Sequence, residues 1–118
     1  MRAKPDVQPA DCRNHLDSLL AEEATILARL EDLLSREHAL LVADDLDGLE
    51  KATDERQSCI ATLVRLEDDR RSLCRMLGHS PDASGLEQVL RWCDQGGRLQ
   101  RRWSDSAARA TRCRDLNV

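Results

Sequence analysis

Five cysteines, three histidines and a run of arginines beside a tryptophan carry most of the chemical potential of this sequence. The cysteines, Cys12, Cys59, Cys74, Cys93 and Cys113, are odd in number and widely spaced, with no CxxC among them. Cys12 and His15 form one CxxH, without the second pair that a tetrahedral zinc site needs. The expectation is five reduced thiols used as small apolar residues, with no structural disulfide, no metal and no other cofactor. His15, His38 and His79 belong to no Glu-x-x-His pair and no HExxH, and no hydroxyl side chain of the later helices has a histidine four residues away to act as its base. Neighbouring carboxylates such as Glu22-Glu23 and Asp68-Asp69 point in different directions on a helix, so they cannot share a proton as an acid-base pair. Gly96-Gly97 lacks the preceding strand and the Lys-Ser/Thr step of a phosphate loop. No constellation for catalysis is present, and the protein is not expected to be an enzyme.

The arginines Arg98, Arg101 and Arg102 share one helical face, and the run continues through Arg109, Arg112 and Arg114. Residues 1–85 hold 11 basic and 18 acidic side chains, residues 86–118 hold 7 and 4, and the whole chain carries −4. An acidic body would repel phosphates, and two tryptophans with no Phe or Tyr give no stacking platform, so nucleic acid is not an expected partner. Trp and Arg together fit a protein-docking surface better.

The elements that must position these groups are helices. With 41% hydrophobic residues, an aliphatic and mostly leucine core, 5 Gly and 3 Pro, the chain has neither the strand formers nor the turns of a sandwich, a barrel or a nucleotide-binding α/β fold. Residues 1–10, with two prolines, read as a flexible tail, and residues 11–118 as a single helical domain. The N-terminal MRAKPDVQPAD has no apolar core of a signal peptide, and the longest purely aliphatic stretch, Ala39 to Ala43, is far short of a membrane span. Leu19-Leu20, Ile26-Leu27, Leu33-Leu34 and Leu40-Leu41 recur every seven residues, with Leu16, Glu23, Leu30 and Glu37 as a third column. This wide stripe predicts one helix from about 11 to 43, capped by Asp11. Asp44, Asp45, Asp47 and Gly48 supply a turn and the cap of a second helix over about 46–77, closed by Gly78. Ser84 and Glu87 read as the capping box of a third helix running to Leu116, with a kink or short break at Gly96-Gly97. The chain stops at Asn117-Val118 without a cap signal and reads as cut off within an element.

Helices one and two placed antiparallel, with partner numbers summing to about 93 so that the turn falls between Leu46 and Asp47, give a testable register. Leu16 then faces Leu77 and Leu30 faces Leu63, while Glu23 faces Arg70 and Glu37 faces Arg56 as cross-helix pairs. The expected fold is an all-α antiparallel bundle, a long Leu-rich hairpin with a third helix covering part of its stripe.

The pattern Leu19-Leu20, Glu23, Leu30, Leu33-Leu34, Glu37, Leu40 resembles the FlgN family of flagellar export chaperones. So do Leu63, Leu66-Glu67, Arg70, Leu73, Leu77-Gly78, the Trp at 103 and the closing Leu116-Asn117. The resemblance implies a cytoplasmic, non-enzymatic protein that binds hook–filament junction proteins, prevents their premature assembly and delivers them to the flagellar type III export apparatus. Family members usually continue past this Asn into an Asn-Gly step and a further amphipathic tail with which they grip clients. In this sequence the thin stripe after Trp103, the freedom at Gly96-Gly97 and the local positive charge place the expected client-binding surface at Leu99, Trp103, Ala107, Ala110, Cys113 and Leu116. Trp103 packed in the bundle core is the competing expectation. The alternative function is a structural coiled-coil adaptor that forms a homo-oligomer through the Leu stripe in the absence of client.

Overall fold

A computed structural model of the chain describes residues 7–117. It consists of four helices, α1 (Pro9–Val42), α2 (Leu46–Met76), α3 (Ala83–Cys93) and α4 (Arg98–Leu116), with no strand among the described residues. The hairpin of α1 and α2 spans the long dimension of a body 61 × 22 × 21 Å in extent. Of the tail expected over residues 1–10, residues 1–6 lie outside the described residues. α1 starts at Pro9, ahead of the expected Asp11 cap. Proline suits the first helical position, where its missing N–H costs nothing, and Asp11 instead falls in the first turn, where its charge complements the helix dipole.

The turn between α1 and α2 is built by short polar residues. Asp44 takes a left-handed conformation, with φ 57°, and the Asp45 carboxylate caps α2 by accepting from the Gly48 N–H at 3.0 Å. Gly78 ends α2 with φ 84°, and the His79 N–H reaches back to the Cys74 carbonyl at 2.9 Å. This is the wrapped-back helix end that glycine permits.

The third segment is two helices. Gly97, at φ 73°, breaks it between Cys93 and Arg98. Asp94 is buried there, and its carboxylate accepts from the Leu99 N–H at 2.7 Å, satisfying an orphan donor of α4's first turn. The cap of α3 is Asp82, which accepts from the Gly85 N–H at 3.0 Å, rather than the expected Ser84. Ser80 donates to the same carboxylate at 2.7 Å and fixes it in place. A side chain on Gly85 would meet the Ser80 carbonyl oxygen at 1.7 Å, so this close turn admits only glycine.

Two cores result. The end core gathers Cys12, Leu16 and Leu20 of α1, Leu66 and Cys74 of α2, Leu86, Val89 and Leu90 of α3, and Leu99 of α4. The second lies along the hairpin, with Leu27, Leu30, Leu33 and Leu34 of α1, Ala52 and Cys59 of α2, and Cys113 of α4. α1 is the spine that touches every other helix.

Candidate functional site

The wide stripe of α1 is shared by two neighbours. α1 packs against both α2 and α4, whereas α2 and α4 do not pack against each other among the described residues. The space between them is a groove of about 500 Å³. Its floor is Leu27, Leu30 and Leu34 of α1; one wall is Ile60 and Leu63 of α2, and the other is Trp103, Ser106, Ala107, Ala110 and Cys113 of α4. The groove stays open because α4 turns small side chains toward α2. Leucines in place of Ala107 and Ala110 would reach across and close it. Ile60 is 40% exposed and Val64 beside it 54%, an apolar edge left open among the described residues.

The α2 wall is fixed by ion pairs. Arg70 Nη1 donates to Glu23 Oε2 at 2.6 Å and Arg56 Nε to Glu37 Oε1 at 2.8 Å, all four side chains largely withdrawn from solvent. Burial pushes the Glu23 carboxyl above its ordinary 4.5, against the pull of the neighbouring Arg70 guanidinium. At the same levels of the hairpin, exposed pairs Arg65–Glu22 and Arg29–Glu55 add little beyond alignment.

The other side of α4 is basic and is largely tied to α1. Arg98 and Arg102 both reach Asp17, at 3.3 and 2.8 Å, and Arg109 and Arg112 both reach Glu31, at 3.8 and 2.9 Å. The arginine run therefore clamps α4 onto the spine. The positive charge expected to steer a partner is in large part neutralised within the molecule.

The expected client-surface residues divide. Trp103, Ala107, Ala110 and Cys113 line the groove. Leu99 is fully buried in the end core, because Asp94 draws the first turn of α4 inward. Leu116 packs on the second core and not on the groove lining, with the His38 ring against its carbonyl at 3.4 Å. Trp103 does two things at once: it packs against the end core and lines the groove. Cys113 is buried too, its thiol 3.8 Å from the Leu27 carbonyl.

Sequence reasoning missed Ile60 and the hydroxyl of Ser106. The signal for Ile60 was its column, Leu46, Thr53, Ile60, Glu67, Cys74, whose mixture of polar and apolar residues belongs to a half-open face. Ser106 is 4% exposed, lines the groove, and its Oγ has no hydrogen-bond partner among the described residues. Such an orphan costs about 1–3 kcal/mol until something pairs with it.

The five thiols are all buried and unpaired. Cys12 is pushed up to about 12 by burial and, secondarily, by the adjacent Cys93 thiol. Such a thiol forms no nucleophilic thiolate near neutrality. No group of three or more His, Cys, Asp or Glu side chains among the described residues is placed to hold a metal ion. No helix of the described residues is long and apolar enough to cross a membrane.

The spine helix thus carries an open, largely apolar groove between its two neighbours. Comparison with protein families gives a match to FlgN protein over residues 13–118. The chain belongs to the FlgN family. Searches of curated proteins and of solved structures gave no match. As a FlgN protein it falls among the flagellar export chaperones, and the match takes in α1 from Arg13 onward, the three later helices and every groove residue.

Proposed function

We propose that this FlgN-family protein holds an amphipathic terminal helix of a hook–filament junction protein in the groove between α2 and α4. In that state the client helix cannot assemble prematurely, and the complex is delivered from the cytoplasm to the flagellar type III export apparatus. The observation that carries this reading is the groove itself: floored by leucines, walled by Ala107 and Ala110, and left unfilled by the described residues. A client helix laid along it would cover Leu30, Ile60 and Leu63 with an apolar stripe of i, i+3, i+4 and i+7 spacing. Its polar edge would meet Arg56, Arg70 and Arg114 at the groove margin. An interface of this modest size suits a chaperone that must release its cargo.

Calorimetric titration of the full chain with synthetic terminal-helix peptides of junction proteins tests it. Ala107→Glu places a charge on an exposed α4 position inside the groove, so the fold should melt as wild type while peptide affinity falls at least ~30-fold, or about 2 kcal/mol. Unchanged affinity in that folded variant would remove the groove as the client site.

A further inference from the structure

The turn joining α1 to α2 exposes what a folded chain ordinarily hides. Leu41 is 63% exposed, Val42 90% and Leu46 71%, three large aliphatic side chains within six residues at the end of the hairpin. Single exposed leucines need no explanation, but three large exposed aliphatics gathered at one turn do, since monomeric proteins leave few apolar clusters open. The patch is also rigid in its construction. The Asp44 N–H donates to the Leu41 carbonyl at 3.2 Å, the Asp45 N–H to the Leu40 carbonyl at 3.0 Å, and the Asp45 carboxylate caps α2. Leu40 is tucked inward against the second core, and a side chain on Gly48 would lie 2.9 Å from its Cδ2. The aliphatics are therefore held out by a formed turn, and presenting them to a partner costs little ordering entropy.

Charge says what kind of partner fits. No Lys or Arg occurs between Arg36 and Lys51, while Asp44, Asp45, Asp47 and Glu50 surround the apolar trio. Elsewhere on the hairpin, acids such as Glu22, Glu23, Glu31 and Glu37 are engaged by arginines. Asp44, Asp47 and Glu50 make no ion pair among the described residues. We infer that the hairpin tip is a second docking surface, an acidic-rimmed aliphatic knob that inserts into an apolar socket edged by Lys or Arg on a different protein. It lies outside the groove lining, so the chain can engage this partner with its client groove occupied.

The test places a photoreactive benzoylphenylalanine at Val42 of the full chain, in cells that express it natively, and maps the cross-linked residues by mass spectrometry. The expected result is one protein adduct, at aliphatic residues flanked by Lys or Arg. Its yield should fall about tenfold when Asp44, Asp47 and Glu50 are changed to Lys. A second variant, Leu41→Ser with Leu46→Ser, should also lose the adduct, yet melt as wild type and bind the client-helix peptide with unchanged affinity. That last measurement separates failure of this surface from failure of the groove. Adducts only to lipid, only to another copy of the chain, or at an acidic site would overturn the proposal, as would a yield indifferent to the charge reversal or no adduct above background.

Discussion

At the scale of single residues, burial decides what the charged and sulfur side chains can do. Glu23 gives up hydration to sit beside Arg70, and its carboxyl stands above the ordinary 4.5 because desolvation outweighs the guanidinium's attraction. The folded state then holds the Glu23 proton more tightly than the unfolded chain does. As pH falls from neutral through the raised folded value, this group increasingly favours folding, and the gain is complete below 4.5. Glu23→Gln keeps the shape and can still accept from Arg70, but removes the titration. Thermal melts of the two proteins should diverge in favour of wild type as pH is lowered toward 4.5, and parallel melting curves would contradict the burial argument. The thiols lead to a second expectation. With Cys12 at about 12 and all five sulfurs buried, a disulfide reagent at mildly alkaline pH should label the folded protein only as fast as it opens. In denaturant without reductant all five should titrate at once. The absence of a zinc spacing and of a CxxC was legible in the sequence. The contact of Cys12 with Cys93 was not, because it spans α1 and α3 and follows from how those helices dock.

At the scale of elements, the heptad columns of α1 and α2 carry the hairpin, since seven-residue spacing of leucines over four repeats admits few alternatives to a long amphipathic helix. Local caps were harder to read. Ser84 with Glu87 matches a capping box, yet Asp82 is a cap as good as Ser, and Ser80 and the Gly85 contact favour the earlier start. Asp94 was invisible as a cap because its partner, the Leu99 N–H, lies five residues on, across a break whose geometry Gly97 sets. The two glycines of that break have separable roles. Gly96 has open space around its Cα and no left-handed φ, so Gly96→Ala should leave stability within about 0.5 kcal/mol of wild type. Gly97 sits at φ 73°, where a β-carbon costs about 1–2 kcal/mol, so Gly97→Ala should lower stability by that amount in denaturant titration. If both substitutions were neutral, the break would be a flexible joint and not a built turn.

At the scale of the whole molecule, the 61 Å body is unevenly held. All four helices meet in the end core, where Leu16, Leu20, Leu66 and Leu99 are fully buried, while the hairpin beyond it is two helices with α4 laid along one side. The groove was only half legible in the sequence for this reason. The thinning of the α4 stripe to Ala107 and Ala110 could be read, but its consequence, a gap between α2 and α4, depends on both helices choosing α1 and not each other. The same asymmetry predicts a gradient of local stability. Leu20→Ala, in the end core, should cost about 2–5 kcal/mol and lower the global melt. Native-state hydrogen exchange of the wild type should find the most protected amides in residues 16–20, 66–74 and 89–90, opening only with global unfolding, and the fastest helical amides near residues 40–50. α4 between residues 103 and 113 should be intermediate, because its outer face is clamped to Asp17 and Glu31 while its inner face borders the open groove. A helix bound there supplies the missing neighbour, so saturation with a client peptide at about 100 times its Kd should raise the global stability by about 2.7 kcal/mol. Amides of α4 and of residues 56–63 that open sub-globally should slow the most. Protection that instead rose evenly, or only at the hairpin tip, would mean that the peptide binds somewhere other than between α2 and α4.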